Sequence, residues 1–404
     1  MIRKLLPIIF CCCFFQSLQA QPKLKVYIVS HNEDNIGYLN FPGGRNNYLS
    51  ARSALIALAN MVQAKNLKYN YGADHVALRA IAQYDTGTVI ANTSNKNLVK
   101  WMKEDRGVEC DAHSHETTYN YADVAYFVSQ LGITPTLTMS GFLYNQLQHG
   151  HSWENYQGGV TGDSFPSFTW YPEILWGAGS PSHINDPQYF GVYRPMSMAN
   201  FTVHEPANHL ILCGTGCSLK LTDTSTVAYV FGKIKDEADA IANGTLPQNG
   251  IYQQEIFFSE GNVDDPWFYP LVDQLTDSIA TLVAAGKVEW QSISEITDEW
   301  KNTFLNQPFA MDCAFNILLQ PSGIADMSVA TPNIRVFPNP SDGKELHIIS
   351  DHFVPGMHLQ ITDVMGKLIM TAELSEQETV IDVSSLSRGV YIISDGNDVL
   401  KWIR

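Results

Sequence analysis

Val108-Glu109-Cys110-Asp111-Ala112-His113-Ser114-His115 is the stretch on which the reading of the fold turns. It starts apolar and ends in polar, chemistry-bearing residues. Shortly after it, Asn120–Leu131 carries Val124, Phe127, Val128 and Leu131 at helical spacing. A buried strand with a polar end, followed by an amphipathic helix, is the repeating unit of a parallel α/β fold.

The same rhythm extends in both directions. Lys25–Ser30 is a β-branched, apolar run, and Tyr48–Lys65 has the apolar spacing of a helix. His75–Gln83 reads as a second strand, Asn95–Glu104 as a short helix and Thr134–Met139 as a fourth strand. His209–Gly214, Gln254–Ser259 and Lys287–Trp290 read as strands, alternating with helices over Thr224–Ala242, Tyr269–Ala285 and Ser294–Lys301. About seven strands in a segment of this size suit a barrel closed by β/α units. The expected architecture is therefore an α/β barrel over residues 21–305, a linker over 306–332 and a small all-β, immunoglobulin-like sandwich over 333–404.

Residues 148–200 interrupt the rhythm. The stretch is rich in Gly, Pro and Ser, and it holds Trp153, Tyr156, Phe165, Phe168, Trp170, Tyr171 and Trp176. Aromatic rings near a strand-end face can stack on sugars, which makes Trp153, Trp170 and Trp176 candidate substrate contacts. An apolar plug over the barrel mouth explains the same residues equally well.

The chain has 404 residues and a formal net charge of −16. Acidity on this scale argues against a nucleic-acid partner and against docking on anionic lipid. Arg3 and Lys4, the apolar run Leu5–Phe15 and the small Ala20 read as a signal peptide over residues 1–20. No later segment is apolar for long enough to span a membrane. Cys110, Cys213, Cys217 and Cys313 remain after that peptide. A Cys213–Cys217 bridge and a buried, unbridged Cys213 are both compatible with the spacing.

Nine of the twelve His lie between His31 and His209. Three of them stand beside carboxylates at expected strand ends, in Ser30-His31-Asn32-Glu33-Asp34 and in Asp111-Ala112-His113-Ser114-His115-Glu116. Ligands bind at the carboxyl ends of strands in parallel α/β folds. On a strand Asp111, His113 and His115 share one face. With His31 and Asp34 they form a candidate ligand set for a divalent metal such as Zn²⁺, and Glu33 is a candidate base. Arg194, in Tyr193-Arg194-Pro195, could orient a carboxylate or bind an anionic group.

Residues 21–305 resemble the polysaccharide deacetylase members of the glycoside hydrolase/deacetylase superfamily. The resemblance rests on Glu33-Asp34, on Val108–His115, on Arg194-Pro195 and on the closing Gly286-Lys287-Val288-Glu289-Trp290. It implies a (β/α)7 barrel that uses a divalent metal to remove acyl groups from a polysaccharide. Glu33 corresponds to the base, Asp34 and His113 to metal ligands, and Arg194 to the arginine that touches the base. Two motifs depart from the family pattern. Its second metal His falls at Thr117, with His115 the nearest substitute. Its catalytic His in the last segment is missing, which leaves Glu260 or an insertion His (His149, His151, His183) as the candidate acid. Two other readings stay open: a glycosidase pairing Glu33 or Asp34 with Glu116 or Glu260, and a non-catalytic carbohydrate binder.

The tail resembles the C-terminal sorting domain of the type IX secretion system. Val336-Phe337-Pro338-Asn339-Pro340, Leu359–Lys367, Ile381–Leu386, Gly389-Val390-Tyr391-Ile392-Ile393 and Lys401-Trp402-Ile403-Arg404 carry this resemblance. It implies a secreted or outer-membrane surface protein of a bacterium, with the type IX machinery as a partner.

Overall fold

A computed structural model describes residues 21–31, 37–39, 42–114, 118–142, 152–177, 189–214, 219–320, 334–339, 341, 344–350, 358–363, 367–394 and 399–404. The chain divides into two compact units, residues 1–322 and 323–404.

The first unit is built on β1 (Leu24–His31), in which every residue is buried. A strand covered on both faces belongs in the middle of a parallel sheet. Around it run β2 (Tyr69–Ala73), β3 (Glu109–His113), β4 (Thr138–Phe142), β5 (Ile174–Gly177), β6 (Tyr189–Tyr193), β7 (Ile211–Gly214) and β8 (Tyr252–Ser259). The order β8-β1-β2-β3-β4-β5-β7 is a run of seven strands, all parallel. β6 joins it antiparallel, on the far edge of β7.

Among the described residues no backbone ladder joins β7 to β8. Side chains span that seam. The Cys213 thiol donates to Gln253 Oε1 at 2.8 Å, and Gln253 Nε2 donates to the Gly191 carbonyl at 2.9 Å. Leu219–Lys220 pairs with the upper part of β8, opposite Ile256 and Phe257.

Helices cover the outside. α1 (Gly44–Ala64), α2 (His75–Tyr84), α3 (Leu98–Arg106), α4 (Tyr121–Gln130), α5 (Val227–Ala242), α6 (Phe268–Ala284) and α7 (Ile293–Asn302) follow the strands in order. α4 starts with a capping box between Asn120 and Asp123. The Asp123 carboxylate also accepts the backbone N–H groups of Ser164 and Phe165, which fastens the aromatic insertion to the start of this helix. Val124, Val128 and Leu131 are buried as expected, and Phe127 packs edge-on against Phe165.

Four segments differ from the sequence expectation. His75–Gln83, expected as a strand, is helix α2. The Asp74 side chain caps it by accepting the Ala77 N–H at 2.8 Å, and Ala77, Leu78, Ala80 and Ile81 form its buried face. The second strand is the preceding Tyr69–Ala73. The fourth strand lies at Thr138–Phe142 and overlaps Thr134–Met139 only at its end. The stretch read as an insertion supplies a barrel strand, β5, together with antiparallel β6. Within the stretch read as a linker, Phe309–Asp312 pairs antiparallel with β6 and with Ile317–Leu319. Cys110 and Cys213 are free and buried, and Cys313 is disulfide-bonded. Cys213 therefore packs as a thiol in the seam and does not bridge to Cys217.

The second unit is a sandwich of antiparallel sheets. Ile334–Phe337, Glu345–Ser350 and Glu378–Asp382 make one sheet. His358–Asp363, Leu368–Glu373, Val390–Ser394 and Val399–Ile403 make the other. Leu346, Ile348 and Ile381 from the first pack with Leu359, Ile361, Ile393 and Trp402 from the second in one core.

Candidate active site

The C-terminal ends of the parallel strands meet in a mouth, and two imidazoles sit there. His31 closes β1 and His113 closes β3, both buried. Their ring centroids are 4.3 Å apart at 64°. β2 runs between their strands, so only a residue without a side chain on β2 lets the rings meet. That residue is Gly72, opposite His31 in the ladder. A Cβ at this position would lie 2.8 Å from both Ser140 Oγ and the Ser30 carbonyl, and 3.7 Å from His113 Nδ1. The tight spot explains a glycine in the middle of a strand.

Aromatic rings wall the pair. Phe257 on β8 lies 4.7 Å from the His31 ring and Trp176 on β5 lies 5.2 Å from it, both edge-on. Trp176 Nε1 donates to the Tyr27 hydroxyl at 3.2 Å. His113 Nδ1 lies 3.3 Å from Ser140 Oγ, its neighbour across the β3–β4 ladder.

Asp111 follows its strand alternation into the barrel one level below His113. There it accepts from Asn70 Nδ2 at 2.9 Å and from Thr136 Oγ1. Asn70 also donates to Glu109 at 2.8 Å, and Ser292 donates to Glu109 at 2.6 Å. Burial, reinforced by the neighbouring Glu109 carboxylate, pushes the Asp111 carboxyl up to about 7. Asp111 is thus held in the hydrogen-bonded interior under the mouth.

The structure separates Arg194 from the histidine pair. Because β6 runs antiparallel to β7, its carboxyl end lies at the opposite end of the barrel from the mouth. Arg194 follows β6 and is fixed there. It donates to the Asn208 carbonyl at 2.8 Å and the His209 carbonyl at 2.5 Å, and it lies 5.6 Å over Trp300. Arg194 therefore cannot orient a base beside His31. Glu260, directly after β8, is buried and accepts the Tyr38 hydroxyl at 2.7 Å.

Trp153 and Trp170 are also buried, with Trp153 against Phe201 at 5.9 Å. Neither offers a ring face to a sugar in solvent. Among the described residues, Trp176 is the one of the three with a ring contact to His31. Glu33, Asp34 and His115 lie outside the described residues, as do residues 1–20 and the insertion histidines His149, His151 and His183. Among the described residues, no group of three His, Cys, Asp or Glu is placed to hold a metal ion.

The two imidazoles nonetheless fit the needs of a divalent cation in kind and in place. They are adjacent, buried and accommodated by a glycine notch. Gly72 and Ser140 were not singled out from sequence. The available signal was a glycine inside Tyr69-Asn70-Tyr71-Gly72-Ala73, where a strand interior normally avoids one.

Residues 335–403 match the family described as the secretion system C-terminal sorting domain. No curated protein matches the chain in sequence. Among solved structures, a Mycobacterium smegmatis protein assigned as a polysaccharide deacetylase aligns at 9% identity and a TM-score of 0.42, over 71% of this chain and 93% of that one. A Parabacteroides distasonis protein assigned as a glycoside hydrolase/deacetylase aligns at 9% identity and a TM-score of 0.41, over 95% and 85%. A 4-alpha-glucanotransferase from Thermococcus litoralis aligns at 10% identity and a TM-score of 0.39, over 69% and 40%. Likenesses this distant carry no reading of the chemistry. Among the described residues no helix is long and apolar enough to cross a membrane. Residues 335–403 thus belong to the secretion system C-terminal sorting domain family, the type IX address expected from the tail motifs, and the chain is a secreted or cell-surface bacterial protein.

Proposed function

We propose that the first unit is a metal-dependent hydrolase that removes acyl groups from a polysaccharide outside the cell. The observation that carries this reading is the approach of the His31 and His113 rings to 4.3 Å at the strand-end mouth. Neutral imidazole is the commonest ligand type for Zn²⁺ and related ions. His31 and His113 would hold the ion. Asp34 and His115, which follow those two strands closely in the chain, are the proposed further ligands. A bound Zn²⁺ supplies Lewis-acid polarisation of the acyl carbonyl. Glu33 is the proposed base that takes the proton from the attacking water. The apolar wall of Trp176 and Phe257 limits water around the histidines and strengthens the electrostatics of the mouth.

Two independent readouts test this. The purified chain is expected to hold about one zinc per molecule and to release acetate from an acetylated polysaccharide without shortening it. His113→Ala loses both, and Glu33→Ala keeps the zinc but loses acetate release. New reducing ends without acetate would indicate glycosidase action. A metal-free wild type with undiminished activity would sink the proposal.

A further inference from the structure

We propose that Lys220 is a specificity-determining residue of the mouth, which selects acidic polysaccharides by binding an anionic group on the sugar chain. The inference rests on the proposed hydrolase reading for the use of the site, but it concerns a charge contact that is measured as binding alone.

The placement starts from the ladder. Lys220 stands opposite Phe257 of β8 in a parallel pair. Residues paired in this way send their side chains to the same face of the sheet. Phe257 faces the mouth, since its ring lies 4.7 Å from that of His31. Lys220 Nζ lies over the same phenyl ring, 5.4 Å from its centroid. One ring thus meets both the ammonium and an imidazole of the pair. The backbone at this point is pinned, because the Leu221 N–H donates to the Phe257 carbonyl at 2.7 Å.

The ammonium stands apart from the other lysines of the first unit. Lys25, Lys65, Lys68, Lys96, Lys287 and Lys301 all pair with carboxylates. Lys220 is partly buried, and among the described residues its Nζ has the Phe257 ring as its partner and no carboxylate. A ring face attracts a cation but accepts no ordinary hydrogen bond, so the three ammonium donors stay open to an incoming group. In a chain with a formal net charge of −16, this is a local positive point at the strand ends, where ligands bind. The group that answers it is an anion. Charge-assisted bonds from ammonium to a carboxylate or sulfate oxygen are roughly twice as strong as bonds between neutral groups, such as sugar hydroxyls. The substrate class is therefore a polysaccharide with uronate or sulfate substituents, and neutral glycans are disfavoured.

The test measures binding by calorimetry, on the full chain with metal removed by a chelator, so that an anion on a metal ion cannot mimic the contact. The probes are short uronate-containing and sulfated oligosaccharides, each compared with its uncharged counterpart. The wild type is expected to prefer the charged member of at least one pair by about 10–100-fold, and that pair identifies the anion. Lys220→Gln is expected to abolish the preference at an unchanged melting temperature, and Lys220→Arg to keep it. Added salt should weaken it. A wild type with no preference in any pair overturns the proposal, and so does a Lys220→Gln protein that keeps the preference. A chain that shows the Lys220-dependent preference but releases no acetate supports this inference and defeats the hydrolase reading. Acetate release with no such preference does the reverse.

Discussion

The Tyr38 hydroxyl donates to Oε1 of Glu260 at 2.7 Å, and both side chains are buried. The carboxylate follows β8, where a catalytic acid was expected, yet its partner is a phenol of the protein. Glu260→Gln is expected to cost about 1–3 kcal/mol of stability through a weakened buried hydrogen bond. The alkaline limb of the pH–rate profile, which a catalytic acid would set, should stay where it is in the wild type. Melting curves and pH–rate profiles of Glu260→Gln and Tyr38→Phe check this. Loss of that limb in Glu260→Gln alone would restore Glu260 as the acid.

Arg194 and His113 lie at opposite ends of the barrel. Removal of the guanidinium should therefore leave zinc content and kcat within about twofold of the wild type. Its hydrogen bonds to Asn208 and His209 are partly exposed, so Arg194→Ala should cost only about 1 kcal/mol. A large fall in kcat with stability intact would contradict this placement.

Trp153 and Trp170 are buried. Each Trp→Ala change is expected to cost about 3–5 kcal/mol and to broaden or lower the melting transition. Any loss of glycan affinity should track that destabilisation. Affinity lost at an unchanged melting temperature would identify a sugar-stacking surface.

Two buried acids make stability depend on pH. Burial raises the Glu237 carboxyl well above its ordinary value, and Asp111 is raised to about 7. Among the described residues Glu237 Oε1 has no hydrogen-bond partner. A group whose pKa is raised on folding stabilises fully below its unfolded value, about 4 for these acids. That stability is lost as pH rises through the folded value. Denaturant unfolding should therefore show stability falling from about pH 4 towards pH 7 and above. Glu237→Gln should flatten the fall and gain about 1–3 kcal/mol at pH 8. An unchanged slope in the variant would show that Glu237 is solvated in solution.

Much of this arrangement was legible in the sequence. β1, β3 and α4 announce themselves because burial on both faces, or on one helical stripe, leaves a plain pattern. His31 and His113 stood out because polar residues at the end of such strands need a reason. β2 was hidden by its own role. With Asn70 and Gly72 facing inward, it lacks the apolar run of its neighbours. The Val76, Leu78 and Ile81 that follow it look like a strand until Asp74 is seen to cap a helix. β5 has four residues and lay inside an aromatic stretch that length alone could not divide. Arg194 was misplaced for a different reason, since a Tyr-Arg-Pro motif records a strand end but not which way the strand runs.

The seam between β7 and β8 gives the barrel a property that a continuous ladder would deny it. A ring closed by backbone bonds has its circumference set by strand number and stagger. Here, among the described residues, one glutamine and one thiol cross the gap in place of a backbone ladder. Substitutions at Gln253 and Cys213 therefore change how the ring closes and leave the seven parallel ladders as they are.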